Sequence, residues 1–283
     1  MLKRLPFLCA ALLALAACSH DNGSNAAPAA ATTPAVPASA APAPTASAAP
    51  AASESAAKPA DAATTPAKPA ADATPFVDNG KWVEGKDYFR IEPAQPKLTG
   101  TDKIEVVEAF SYGCPACNAY HPTMNQLVKE LPSNAVVASL PASFMPQENW
   151  VTLQRAYLTA EALGVADKGN DAMYAAVWDT KELSSMNANG NALKPKDALP
   201  TIDDIAKVYA KFGADPKEFV AVSSSFAINT KMKRADELIK AYGVEGTPTL
   251  IIDGKYRISP RDVGEAKSIE LTKWLVAKEA AGK

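Results

Sequence analysis

The chain has 283 residues with 29 basic and 31 acidic side chains, which gives a formal net charge of −2. This near-neutral charge gives no support to a nucleic-acid-binding protein, and the clusters of basic residues are explained by a solvated helix face. Only four cysteines are present, so the composition also excludes a fold stapled by many disulfides.

The N-terminal residues resemble a bacterial export signal. Two basic residues precede an apolar run that ends at Ala14 and is shorter than the roughly 20 residues of a membrane-spanning helix. The following tetrapeptide, Leu15-Ala-Ala-Cys18, resembles a lipobox. Residues 1–17 are therefore predicted to be a lipoprotein signal peptide, with Cys18 lipidated and first in the mature chain. The alternative is an ordinary secretory signal with a chance cysteine.

Residues 18–75 consist mainly of Ala, Pro, Ser and Thr and include no aromatic side chain. Such a segment buries too little apolar surface to offset the entropy of ordering, so we expect a disordered tether. The lipid would hold the protein in the periplasm at the inner or outer membrane. Once Cys9 has left with the signal and Cys18 carries lipid, only Cys114 and Cys117 remain as thiols.

The folded part is predicted to begin near residue 76 with a strand–helix–strand unit. Residues 104–110 form a β-branched and aromatic run that predicts a buried strand ending at the turn Ser111-Tyr-Gly113. Residues 135–140 predict a second strand, parallel to the first. Between them, apolar residues recur at helical spacing, at Met124, Leu127, Val128 and Leu131. Pro122 lies inside this helix and predicts a kink.

The second half of the chain predicts helices and then a hairpin. Residues 149–239 contain alanine-rich helical patterns separated by Gly and Pro, which favour several short helices. Residues 249–253 return to a strand pattern, and Gly254 is placed to turn the chain into a partner strand over residues 256–258. A final amphipathic helix follows. The simplest architecture is an α/β fold whose sheet is interrupted by a helical insert.

The most informative motif is Cys114-Pro-Ala-Cys117 at the predicted start of the first helix. Cysteines three positions apart on a helix lie on one face, close enough to form a reversible disulfide. Cys114 would meet the positive end of the helix dipole, which favours a nucleophilic thiolate, whereas Cys117 would lie deeper and resolve a mixed disulfide. Pro115 suits the first helical turn because its missing N–H needs no partner there.

Other chemistries for the pair are weighed on its surroundings. A zinc site would need a fourth ligand beyond Cys114, Cys117 and His121, and covalent haem attachment would need histidine where Asn118 stands. A permanent disulfide closing so short a loop would stabilise the fold little. An inert binding module is the remaining alternative, with His121 an ordinary helical residue.

Together these residues resemble the thioredoxin superfamily and, within it, the DsbA family of periplasmic dithiol oxidases. The stretch Glu108-Ala-Phe-Ser-Tyr-Gly-Cys114-Pro-Ala-Cys117 is similar to the family's active-site strand and helix start, and Pro122 to its helix-kinking proline. Gly246-Thr-Pro248 resembles the cis-proline loop, although the sequence alone leaves the isomer open. The resemblance implies a thioredoxin fold in two parts, residues 76–148 and 240–283, with a helical domain inserted over residues 149–239.

The resemblance also implies roles for individual residues. Cys114 would be the nucleophile, Cys117 the resolving cysteine, and Thr247-Pro248 the platform for the substrate chain. Glu108 matches an acidic residue that shuttles the proton of the inner thiol, a role that needs burial; the alternative is a strand-edge glutamate in water. No metal is expected, and no cofactor beyond the redox-active disulfide.

The implied function is the introduction of disulfide bonds into reduced exported proteins, with re-oxidation by a quinone-linked membrane partner of the DsbB type. Ala116 departs from the histidine of the best-known members, which predicts weaker oxidising power. Thr247 is also found in disulfide isomerases, so an isomerase or reductase acting on misoxidised envelope proteins is the alternative. Isomerases of the DsbC type carry an N-terminal dimerisation domain. This chain is predicted to have a tether in that place, which favours a monomer.

Overall fold

A computed structural model describes residues 76–283. The predicted signal peptide (1–17), the lipidation of Cys18 and the tether (18–75) lie outside the described residues and stay predictions. Within the described part of the chain, no helix is both long enough and apolar enough to cross a bilayer.

A five-stranded mixed sheet forms the centre of the fold. Its strands are Phe89–Arg90 (β1), Ile104–Phe110 (β2), Ala135–Pro141 (β3), Thr249–Ile252 (β4) and Tyr256–Ile258 (β5). They lie in the order β1-β5-β4-β2-β3. β2 and β3 are parallel and the other pairs antiparallel, which confirms the predicted crossover and hairpin. β1 was not predicted, because two residues carry no readable periodicity.

Eight helices surround this sheet within residues 76–283. They are Pro115–Glu130 (α1), Trp150–Ala162 (α2), Ala166–Trp178 (α3), Ile202–Ala210 (α4), Pro216–Ser223 (α5), Phe226–Ala241 (α6), Pro260–Val263 (α7) and Glu265–Ala280 (α8). Three helices of the central segment begin where a side chain accepts a main-chain N–H, at Thr201, Asp215 and Ser225. The helices predicted between residues 149 and 239 are therefore present, and the last extends to Ala241.

The first helix buries one face and exposes the other. Cys117, Tyr120, Met124 and Leu127 are buried along it. Val128 shares the apolar spacing of this helix but is 49% exposed. Val128 lies beside an open groove at the free edge of β3, where no further strand covers the sheet among the described residues. The helix is continuous through Pro122, and a change in its axis there stays a prediction.

β2 divides the hydrophobic core. Val107 and Ala109 belong to a cluster with residues of α2 and α6, whereas Val106 belongs to a cluster with residues of α1 and α8. This alternation follows from the two-residue repeat of a strand. The central helices thus pack on one face of the sheet and α1 and α8 on the other, with β2 leading directly into the cysteine motif between them.

Candidate active site

The cysteine motif begins where β2 ends. The N–H of Cys114 donates to the Ser111 carbonyl at 3.0 Å, and Cys114 then caps α1 with extended backbone angles, φ −86° and ψ 119°. Pro115 occupies the first turn. Gly113 is required by close packing, since a Cβ there would lie 2.7 Å from the indole nitrogen of Trp150. The turn therefore presses the motif against the start of α2.

The two cysteines differ in access to solvent. Both are free thiols; Cys114 retains 5% exposure and Cys117 none. The Sγ of Cys114 accepts the main-chain N–H of Cys117 at 3.4 Å, as expected for a sulfur at a helix N-terminus. Only Cys114 is open to attack a partner or be attacked by one, and Cys117 lies directly behind it.

The surroundings also separate the acidities of the two thiols. Hydrogen bonding from the Cys117 thiol, the Thr247 side chain and the N–H groups of Cys117 and Ala116 lowers the pKa of Cys114 to about 6, against an opposing effect of burial. Burial, followed by the interaction with Cys114, raises the pKa of Cys117 well above its usual value. Near neutral pH the reduced pair therefore holds a thiolate at Cys114 and a proton at Cys117.

Ala116 contributes to this acidity through its main chain. Its N–H is among the donors that lower the pKa of Cys114, and a main-chain donor does not depend on the side chain. Although alanine stands in place of the histidine, the main-chain and side-chain donors that stabilise the Cys114 thiolate are therefore still present. Whether the pair is a weaker oxidant than the best-known members stays a prediction.

The loop before β4 faces the nucleophile. The Thr247–Pro248 peptide bond is cis, which resolves the isomer that the sequence left open. The Thr247 carbonyl accepts the Cys114 thiol at 3.4 Å. Thr247 Oγ1 is buried and finds no hydrogen-bond partner in the described residues, so its hydroxyl is free to donate to the thiolate once Cys114 ionises.

Glu108 lies behind the cysteines in β2. Its side chain is 6% exposed, and Oε1 has no hydrogen-bond partner within residues 76–283. Burial, together with the negative charge of Cys114, raises the pKa of Glu108 to about 8. The alternative of a strand-edge glutamate in water is therefore wrong. A carboxyl that keeps its proton near neutral pH can exchange it with a neighbouring thiol.

His121 joins the active-site helix to the helical segment. Its Nε2 lies 2.6 Å from Asp171 Oδ1, and its ring stacks on Tyr174 with centroids 4.3 Å apart. The Nε2 atom is thus engaged with α3. In the described part of the chain, no cluster of three or more His, Cys, Asp or Glu side chains is arranged to hold a metal ion.

The aromatic side chains that pack beside the cysteine motif were not identified from the sequence. Trp178 donates its indole N–H to the Tyr112 carbonyl at 2.8 Å, and Tyr112 meets Tyr174 edge to face at 5.1 Å. These partners come from α3, far along the chain from the cysteines. The available signal was the presence of large aromatics in otherwise alanine-rich helices.

Replacing Thr247 by valine is expected to raise the pKa of Cys114 from about 6 to roughly 7, because a charge-assisted hydrogen bond to the thiolate is lost. The measurement is the absorbance of the thiolate at 240 nm as a function of pH. Thr272→Val is the matched control, since Thr272 Oγ1 is also buried without a partner in the described structure but lies in α8. Equal pKa values in both variants would contradict the assignment.

The sequence is similar to a known protein family and to characterised proteins within it. A family model described as a DSBA-like thioredoxin domain matches residues 89–271. The thiol:disulfide interchange protein DsbA of Pseudomonas aeruginosa is 32% identical over 204 residues, covering 71% of this chain and 87% of that protein. Its namesake from Pseudomonas syringae is 34% identical over 201 residues, covering 70% and 84%.

Solved structures give the same picture. The crystal structure of Pseudomonas aeruginosa DsbA aligns with a TM-score of 0.60 at 31% identity, covering 72% of this chain and 97% of that one. The oxidoreductase DsbA from Xylella fastidiosa aligns with a TM-score of 0.61 at 28% identity, covering 70% and 98%. This chain thus covers nearly the full length of both solved structures.

Proposed function

Because the chain belongs to the family of DSBA-like thioredoxin domains and is a thiol:disulfide oxidoreductase, we propose that it introduces disulfide bonds into exported proteins through Cys114 and Cys117. The observation that carries the proposal is the difference between the two thiols in exposure and in acidity. Cys114 keeps 5% exposure and has a pKa of about 6, whereas Cys117 is fully buried and has a raised pKa. Stabilising the reduced form in this way makes the disulfide form a stronger oxidant.

The reaction begins with the pair joined as a disulfide. A substrate thiolate attacks the Sγ of Cys114, the bond to Cys117 breaks, and Cys117 leaves as a thiolate. A second substrate thiolate then attacks the substrate sulfur of this mixed disulfide and expels Cys114. Cys114 is a good leaving group because its thiolate is stable, and two electrons have passed from the substrate to the cysteine pair.

Glu108 serves the proton balance of the first step. Cys117 leaves as an anion in a buried site where its pKa is high, so it needs a proton. Burial is the larger of the two causes that raise the pKa of Glu108 to about 8 in the reduced protein, and it also acts when Cys114 is joined to the substrate, so the carboxyl holds a proton to give. We assign Glu108 the transfer of this proton to Cys117, directly or through water.

The loop of Thr247 and Pro248 holds the substrate chain. The Thr247 carbonyl lies 3.4 Å from the nucleophilic sulfur, so a backbone aligned along this loop brings its own cysteine to Cys114. The main-chain N–H groups of Glu245, Gly246 and Thr247 donate to no group in the described residues and are free to bind an extended peptide.

The cellular setting of the proposal rests on the N-terminal sequence. A lipid on Cys18 would hold the protein at a bacterial membrane, with the catalytic part in the periplasm. Reduced Cys114 and Cys117 would be re-oxidised by a quinone-linked membrane protein of the DsbB kind. The protein would act as a monomer.

The test is the oxidation of a reduced, unfolded protein by the oxidised enzyme, with Cys114→Ser as the baseline. We expect the wild-type protein to form substrate disulfides much faster than the baseline. Equal rates would refute the proposal. Faster rearrangement of a scrambled substrate by the reduced enzyme, without net oxidation, would instead identify an isomerase.

A further inference from the structure

A charged groove of about 590 Å³ continues from the substrate loop. We call it the arginine groove; its side chains include Phe89, Glu245, Thr247, Arg257, Arg261 and Asp262. Thr247 belongs both to this groove and to the contact with Cys114. A peptide whose cysteine reaches Cys114 can therefore extend into the arginine groove on one side.

Arg257 is held in a fixed position in β5. Its Nη1 donates to the Gly243 carbonyl at 2.7 Å, and its guanidinium lies over the ring of Phe89, 5.5 Å from the centroid. Gly243 allows this contact, because a Cβ there would lie 2.0 Å from Nη1. The guanidinium is thus held by contacts with Gly243 and Phe89 before any ligand binds.

The remaining donors of Arg257 are open. Nε and Nη2 donate to no acceptor within residues 76–283, and no carboxylate in that range forms an ion pair with Arg257. Arg261 at the rim is exposed and likewise has no carboxylate partner in the described structure. Neither arginine of the groove is therefore paired with a carboxylate in the described structure.

Glu245 and Asp262 also line the groove and balance the formal charge. Both are exposed, and charges in contact with water are strongly screened. Arg257 is the only half-buried member of the four charged side chains, so its interactions are screened less. The guanidinium thus decides which ligand charge the groove prefers.

We propose that the arginine groove selects substrate segments that carry a carboxylate near the cysteine undergoing oxidation. Nε and Nη2 of Arg257 bind this carboxylate in a bidentate arrangement, and Arg261 adds a second positive charge. The inference rests on the proposed function, because it concerns the specificity of the same site.

The experiment uses unstructured dithiol peptides that differ at one position, which holds Asp, Asn or Lys. The position is moved stepwise to either side of the first cysteine, and kcat/KM for peptide oxidation is measured. At one or more positions on one side, we expect the Asp peptide to exceed the Asn peptide by about tenfold, as a charge-assisted bidentate contact provides, with Lys lowest. This preference should fall as salt rises.

Arg257→Gln tests the residue itself, since glutamine removes the guanidinium charge but keeps an N–H donor in the side chain. The Asp-to-Asn ratio should fall close to one, whatever the absolute rate. Arg90→Gln is the matched control, because Arg90 is a neighbouring sheet arginine that binds Glu84 and does not line the groove.

The outcomes separate the two proposals. If the wild-type enzyme oxidises all peptides without a preference for Asp at any position, the groove assignment is overturned and the oxidase function stands. If Arg257→Gln slows all peptides but keeps the ratio, Arg257 is structural and the assignment is again overturned. If no peptide is oxidised, the proposed function itself fails.

Discussion

Replacing Cys117 by serine is expected to lower disulfide transfer by at least about 10³-fold, because the residues of a catalytic unit fail together when one is removed. The variant cannot close its own disulfide, yet Cys114 keeps its place at the helix start and its main-chain donors. Reduced Cys117→Ser should therefore attack a disulfide-containing protein and stay joined to it, since no second thiol releases the complex.

The measurement is non-reducing electrophoresis combined with the transfer assay. A covalent complex that disappears with dithiothreitol is expected for Cys117→Ser and absent for Cys114→Ser, in which the buried thiol is the only one left within residues 76–283. Wild-type transfer rates in Cys117→Ser, or complex formation by Cys114→Ser instead, would show that the roles of the two cysteines are wrongly assigned.

The division of roles between the cysteines followed from local sequence. A helix start is specified by nearby residues, so Cys114 and Pro115 could be placed from spacing alone, and the strand before them from its β-branched run. The electrostatics of a helix terminus act within one turn. Local rules therefore sufficed for the feature on which the chemistry depends.

The residues that complete the site required the tertiary structure. Trp150 under Gly113 and Tyr174 beside His121 come from α2 and α3, and no local pattern links them to the cysteines. Val128 matched helical periodicity but lies beside an open groove, because periodicity shows which residues share a face and not how far the covering structure extends. The placement of Arg257 likewise depends on its contact with Gly243, which the sequence does not reveal.

Burial of acidic side chains in β2 illustrates the same limit. Glu105 and Glu108 both lie in this strand and both are buried. Glu105 accepts the main-chain N–H of Leu98 at 2.7 Å and is thereby accommodated. Glu108 Oε1 finds no such partner in the described chain, a difference that no local pattern of the strand predicts. The unsatisfied carboxyl is the one beside the cysteines, as a proton-transfer role requires.

Glu108→Gln is expected to change how stability depends on pH. The pKa of Glu108 rises from 4.5 to about 8 on folding, so between these values the unfolded chain ionises while the folded protein keeps the proton. The contribution of the protonated Glu108 carboxyl to folding stability is then fully present below about pH 4.5 and is lost as pH rises toward 8. The loss attributable to Glu108 is about 4 kcal/mol at pH 8, at 1.36 kcal/mol per pH unit.

The measurement is the free energy of unfolding of the reduced protein in urea at pH 5 and pH 8. The difference between Glu108→Gln and wild type should become more favourable to the variant by several kcal/mol from the lower to the higher pH. Comparing the two proteins at each pH cancels most of the opposite contribution of Cys114, whose lowered pKa stabilises the fold as pH rises from about 6. The amide of glutamine is also buried without a partner, but that penalty is independent of pH and leaves the slope unaffected.

A difference that does not vary with pH would mean that Glu108 ionises as readily in the folded protein as in the unfolded chain. Water would then have to reach Oε1, and the carboxyl would hold no proton for Cys117 near neutral pH. The same result would remove the reason for placing an acid at this position, because a carboxylate already ionised beside the Cys114 thiolate would oppose the reduced state instead of supplying its proton. The stability slope therefore tests the proton transfer without relying on enzyme rates.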